Sequence, residues 1–165
     1  MSSPMQRLWH GVWQDVDGTA VVEAAILLPV LLILVYGALE FSWIVGERHT
    51  IDQGLADAAR YIAHSATPND DIVKRGARLL ATTGEMDGGA LKVRGWSAED
   101  VDISYTVITN SPGPDGETGL RGGNIIETVT VSTSLVLPSL GFLSAFGIQA
   151  PQMIASHSER VIGSD

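Results

Sequence analysis

Few side chains in this sequence could carry out chemistry. Ser156, His157 and Glu159 are residue types of a hydrolase triad, but neighbours along a strand face opposite sides, so we predict no triad there. Asp15 and Asp17 begin like a calcium loop whose later ligands are replaced by apolar residues. The four histidines lack ligand-like spacing, and without cysteine there is no thiol catalysis, disulfide or zinc–thiolate site. We therefore expect no enzyme activity, metal or cofactor.

The most informative side chain is Glu23, which stands at the start of a long apolar run. The stretch Ala24–Leu39 carries no charge, and Glu40 follows it directly. A membrane-spanning helix needs about 20 mainly apolar residues, so the run predicts a transmembrane helix over residues 19–46. Pro29 lies inside this helix and removes one backbone donor, which predicts a kink or a loosened turn.

Three interpretations of the apolar run compete. A cleaved secretory signal peptide has a basic start and a shorter apolar core, whereas this chain offers only Arg7 before a long run. A buried core helix of a soluble protein is shorter and less uniformly apolar. A retained signal anchor fits best. The large polar sequence after residue 47 favours a cytoplasmic N-terminus and a head on the other side of the membrane.

Glu23 is not explained by simple helix capping. A capping box requires Ser or Thr three residues earlier, but that position is Ala20, and Thr19 stands four residues earlier. Stabilisation by the helix dipole remains an alternative. A carboxylate in a membrane span is costly, by roughly 2.5–3.5 kcal/mol at the bilayer centre and less at the edge. The sequence therefore predicts that some function requires this carboxylate.

The stretch from Gly18 to Glu23 resembles the processing site of type IV prepilin-like proteins. The longer stretch from about residue 17 to residue 63 resembles the TadE-like family of tight-adherence (Tad/Flp) pilus pseudopilins. That family shows a glycine, a glutamate five residues later, an early proline, a second glutamate and an alanine-rich helix ending in A-A-R. The matching positions are Gly18, Glu23, Pro29, Glu40, Ala58, Ala59 and Arg60.

This resemblance implies a pilus subunit cut between Gly18 and Thr19 by a prepilin peptidase, with residues 1–18 as the leader. It also implies roles in assembly and registration for Glu23, Pro29 and Glu40. The other partners implied are pilins and pseudopilins of the same pilus, the inner-membrane assembly platform and the membrane. Thr19 replaces the phenylalanine usual in major type IV pilins, which favours a minor pilin or pseudopilin.

Beyond the apolar run, the sequence predicts two helices. Residues 47–66 form an amphipathic helix that continues the span, although Gly46 and Gly54 weaken its continuity. Its apolar stripe consists of Ile51, Leu55, Ala58 and Ile62. A further helix is predicted over residues 70–82, with "TPND" at its start.

The remaining sequence predicts an antiparallel sheet, which makes residues 67–165 an α+β head. Alternation predicts strands at 91–96, 101–108 and 124–137, with a long Gly/Pro-rich hairpin loop between the last two. Residues 137–148 predict a turn or lid on the sheet, and residues 150–162 a last strand or a short helix. One face of the third strand carries Thr128, Thr130, Ser132 and Ser134.

The net charge of −9 makes nucleic acid an unsuitable partner. We expect a single-pass protein of the bacterial inner membrane with a periplasmic head, or one incorporated into a surface pilus. The expected function is a minor pilin or pseudopilin that supports pilus assembly and surface attachment. The alternative is an uncleaved, signal-anchored envelope protein whose head binds a ligand or partner.

Overall fold

The computed structural model describes residues 16–111, 113, 120, 125–137, 141–145, 147, 149 and 152–162. The chain divides into two units, Met1–Phe41 and Ser42–Asp165, which are treated separately below. Its elements are α1 (Val16–Ala63), α2 (Asp71–Thr83), a 3₁₀ turn (Ala98–Asp100), β1 (Val101–Thr109), β2 (Ile125–Val136), α3 (Phe142–Ala145) and β3 (Gln152–Arg160). The architecture is the α+β class predicted from the sequence, a long apolar helix followed by a small head.

The longest element is α1, with 48 residues. It passes through Pro29, Gly46 and Gly54 without an interruption in its helical assignment. In the first unit, the helix exposes its apolar side chains: Val21, Ile26 and Leu34 are each 60% exposed or more. In the second unit, its continuation enters the hydrophobic core of the head.

The head contains a three-stranded antiparallel sheet in the order β1-β2-β3. β1 and β2 form the predicted hairpin, from the pair Val101↔Thr133 to the pair Thr109↔Ile125. β3 pairs with the other side of β2, which decides between the strand and the helix left open for residues 150–162. Ten of the 15 residues of the predicted Gly/Pro-rich loop lie outside the described residues, as do five of the 12 residues of the predicted lid and the first 15 residues of the predicted leader.

The core of the head lies between the helices and one face of the sheet. α1 contributes Ile51, Leu55 and Ile62, all 0% exposed, which confirms the predicted stripe. The inner face of β2 contributes Val129 and Val131, which are also 0% exposed. Burial of these apolar side chains stabilises the folded head by about 25 cal/mol per Å² of apolar surface removed from water.

Helix α2 begins and ends at recognisable caps. The Asp70 side chain accepts a hydrogen bond from the Ile72 N–H at 2.9 Å, which satisfies one of the free amides of the first turn. Gly84 ends the helix with φ +87°, and its N–H donates to the Leu80 carbonyl. The helix thus lies one residue later than the predicted range of 70–82.

The predicted strand at residues 91–96 is wrong: this segment is a series of turns. Its alternation came from Leu91 and Val93, but Leu91 is exposed, and Val93 is buried together with Trp96 in the core, which both reach from a loop. The Lys92 N–H donates to the Thr82 carbonyl at the end of α2, and the Trp96 Nε1 donates to the Thr133 Oγ1 at 3.1 Å. Gly95, with φ +84°, turns the backbone between them.

Candidate functional site

The residues predicted for processing and assembly lie near the start of α1. Gly18, Thr19 and Glu23 are all exposed. Because Thr19 and Glu23 are four residues apart in a helix, they occupy neighbouring positions on the same helix face. A backbone amine at residue 19 would lie about one helical turn before this carboxylate.

The surface around these residues is apolar along several helical turns. From Val21 to Leu34 the aliphatic side chains are exposed by 45% or more, and Pro29 is exposed among them. The helix over Gly18–Ala63 is long and apolar enough to cross a membrane. An exposed apolar surface of this extent is unusual in a soluble monomer and marks a membrane or protein contact.

The two predicted assembly glutamates have contrasting environments. Glu23 is exposed, whereas Glu40 is only 1% exposed. The side chains on either side of Glu40, Leu39 and Phe41, are 58% and 66% exposed. A buried carboxylate is rare in proteins unless it is paired, so Glu40 occupies a different environment from that of Glu23. The sequence alone did not predict that one of these two glutamates is exposed and the other buried.

Within the head, α1 passes very close to α2 at Gly54. A Cβ atom on Gly54 would lie 2.4 Å from the carbonyl oxygen of Ala81 and 2.8 Å from the Trp96 ring. From the sequence alone, Gly54 is expected only to weaken the helix. Its position next to the predicted apolar stripe was the available signal for this packing role. Glycine here lets two helices approach at a distance that no other residue permits.

The last turns of α1 contact β3 and the residues that follow it. Arg60 Nε lies 3.6 Å from Glu159 Oε1, and the Ile162 N–H donates to the Ala63 carbonyl at 2.8 Å. A hydrogen bond with His157 and the nearby charge of Arg60 lower the pKa of the Glu159 carboxyl below its usual value. The A-A-R ending of the helix therefore has a structural use here: Ala59 is buried at 0% exposure, and Arg60 reaches the last strand.

The serine, histidine and glutamate side chains of β3 do not form a catalytic triad. His157 contacts Glu159 at 3.2 Å along the strand. Ser158 lies on the opposite face, where its Oγ is 2.8 Å from the Thr130 Oγ1. Because the serine and the histidine point to different sides of the sheet, neither serine next to His157 can pass a proton to it.

These features define a class of protein: an α+β head carried on a helix whose N-terminal part exposes an apolar surface suited to a membrane. Residues 18–60 match the family model described as TadE-like protein. The match begins at Gly18 and ends at Arg60, and it confirms the resemblance predicted from the sequence. This segment is therefore TadE-like, which associates the protein with the tight-adherence pilus. No curated protein and no solved structure matches the chain.

Proposed function

We propose that this protein is a minor pilin or pseudopilin of a tight-adherence pilus, cut by a prepilin peptidase between Gly18 and Thr19. The observation that carries the proposal is the TadE-like match, which begins at Gly18 and includes an exposed glutamate on an apolar helix. In this proposal, residues 1–18 are the leader, residues 19–46 span the inner membrane and residues 47–66 continue the helix. Residues 67–165 complete a periplasmic head.

Cleavage after Gly18 gives Glu23 a physical task. The cut creates an amine on Thr19, and a carboxylate in an apolar bundle is penalised less when a cation pairs with it than when it is unpaired. The Glu23 carboxylate of one subunit then pairs with the Thr19 amine of a neighbour, so that docking in one register is favoured. Pro29 and Glu40 act with Glu23 in positioning the helices of neighbouring pilins on the inner-membrane assembly platform.

The mature N-terminus tests the proposal directly. Intact-mass measurement of the protein purified from its native membrane is expected to show a chain that starts at Thr19. Gly18→Leu is expected to retain the leader, because the residue before the cut becomes bulky. Gly37→Ala is the matched control, since a Cβ at Gly37 meets nothing within 4 Å, and this variant is expected to be processed normally.

A wild-type chain that keeps residues 1–18 in its native membrane would contradict processing. That result would favour the alternative, an uncleaved signal-anchored envelope protein with a partner-binding head. Normal processing of Gly18→Leu would show that the cut lies elsewhere.

A further inference from the structure

The outer face of the sheet, turned away from the core, carries hydroxyl groups. Along β2 the inward residues Val129, Val131 and Thr133 are buried, and the four residues that alternate with them point to the other side. Those outward residues are the four already noted in the sequence, Thr128, Thr130, Ser132 and Ser134. They are half-buried or exposed, and they form the central column of the face.

The neighbouring strands extend the hydroxyl groups to both sides. The strand register aligns Ser104 of β1, Thr130 of β2 and Ser158 of β3 in one row across the sheet. Thr106 and Ser156, one on each outer strand, add further exposed hydroxyls. Sheet geometry spaces such groups by about 4.8 Å between strands and about 6.7 Å along each strand. The result is a flat array of groups that each both donate and accept hydrogen bonds.

The array contains few charged residues, and only some of its hydroxyl groups form hydrogen bonds within the protein. A typical protein surface has about a quarter to a third charged residues. On this face the charged positions are Asp102 and Arg160, at diagonally opposite corners of the hydroxyl array. Within the described part of the chain, the side chains of Thr106, Thr128 and Ser156 make no hydrogen bond.

We propose that this hydroxyl face binds a neutral polysaccharide. A sugar polymer presents uncharged hydroxyls that donate and accept, so it can match such an array without leaving a charge unpaired. Nucleic acid and anionic lipid require cations, which the centre of the face lacks in a chain of net charge −9.

A second copy of the chain fits this face less well than a glycan does. Packed sheets bury interdigitating apolar side chains. Exposed apolar side chains of this face, Ile108, Val136 and Ile154, lie at its two ends, whereas the outward positions of β2 between Ser134 and Thr128 carry only hydroxyls. Burying these groups against another protein would cost solvation at each hydroxyl that found no partner. Each hydrogen bond to a sugar is weak, so binding would depend on repeated contacts along the polymer and on several copies of the head. The biological setting, attachment of a pilus to a surface, rests on the proposed function.

The test uses the full chain purified in an amine-oxide detergent, because a detergent with a sugar head group would compete. Retention is measured on microcrystalline cellulose, on chitin and on dextran sulfate beads. The triple variant Thr128→Val/Thr130→Val/Ser132→Ala removes the central hydroxyls, and its two Thr→Val changes keep the shape and strand preference of the side chains. We expect its retention on cellulose or chitin to fall by about tenfold.

Two further variants make the result specific. Ser156→Ala/Ser158→Ala removes hydroxyls from the edge strand without a substitution in β2, and it is expected to weaken retention. It also replaces the triple variant if that one misfolds. The matched control, Thr67→Val/Thr109→Val/Ser111→Ala, removes three exposed hydroxyls elsewhere and is expected to bind like the wild type. Circular dichroism establishes that each variant is folded.

Several outcomes would overturn the proposal: no retention of the wild type on either neutral polymer, equal retention of wild type and both face variants, or retention on dextran sulfate alone. Light scattering adds one more. A wild-type dimer that the folded face variants dissociate would identify the face as a contact between copies. The assay uses purified protein, and the mature N-terminus is measured separately, so failure here is distinguishable from failure of the proposed function.

Discussion

Glu23 is exposed on α1 among aliphatic side chains, and its neighbour on the same helix face is Thr19. A carboxylate so placed disfavours membrane insertion and can be compensated by an amine of another subunit. Its helix-dipole interaction is available whether or not a neighbouring subunit is present. These two roles lead to different consequences when the side chain is changed.

Glu23→Ala is expected to give a stable, correctly processed, membrane-resident protein that fails to support pilus formation. The desolvation cost of the carboxylate disappears, and so does its attraction to a neighbouring Thr19 amine. Glu23→Asp is expected to be intermediate, because the charge remains but reaches less far. Pilus counts and membrane levels are measured side by side for both variants.

If Glu23 served only the helix dipole, Glu23→Ala would lose about 0.3–1 kcal/mol of stability and still form pili. Normal piliation with Glu23→Ala at wild-type membrane levels would therefore end the registration hypothesis.

At the scale of elements, the crossing of α1 and α2 depends on the missing side chain of Gly54. The Ala81 carbonyl belongs to helix backbone and cannot rotate away from an added methyl group. Ala58, four residues after Gly54 and on the same face of the helix, is also a small residue and is 0% exposed. The packing of α1 against α2 at Gly54 therefore depends on how closely the two helix backbones approach each other.

Gly54→Ala is expected to destabilise the head by about 1–3 kcal/mol, because overpacking outweighs the helix preference of alanine. The measurement is thermal unfolding of the detergent-solubilised chain, followed by circular dichroism and tryptophan fluorescence. Gly46→Ala is the matched control, since its Cβ would meet nothing within 4 Å. The free energy of unfolding of Gly46→Ala is expected to be unchanged or to rise by about 0.5–1 kcal/mol. Equal effects of the two substitutions would contradict the close-packing account.

At the scale of the whole molecule, the proposed topology places the head in the periplasm. The chain has no cysteine, so one introduced thiol reports on one site. Asp87→Cys places it at an exposed position of the head. A membrane-impermeant maleimide added to intact spheroplasts is expected to label it as fully as after lysis.

The control for this experiment is Ser3→Cys in the Gly18→Leu background, in which the leader is expected to remain attached. That thiol is expected to react only after lysis. Labelling of the Ser3→Cys thiol but not the Asp87→Cys thiol in intact spheroplasts would invert the topology.

The sequence by itself determined the features that depend on neighbouring residues. An uncharged run of sufficient length, Ala24–Leu39, gave the apolar helix, and alternation gave the β1–β2 hairpin. The spacing from Gly18 to Arg60 gave the TadE-like resemblance. The start of α2 followed from "TPND", because a cap acts within one helical turn.

Tertiary structure alone decided the features that depend on contacts between distant parts of the chain. Leu91 and Val93 have the alternation of a strand, but Val93 and Trp96 are buried from a loop whose donors bond to the end of α2 and to Thr133. Glu40 and Glu23 look alike in the sequence, yet only Glu40 is buried. Gly54 looked like a weak point in a helix until Ala81 and Trp96 were found against it. The local sequence pattern determines which way a side chain points. The residues that this side chain contacts are far away in the sequence, so no local pattern specifies them.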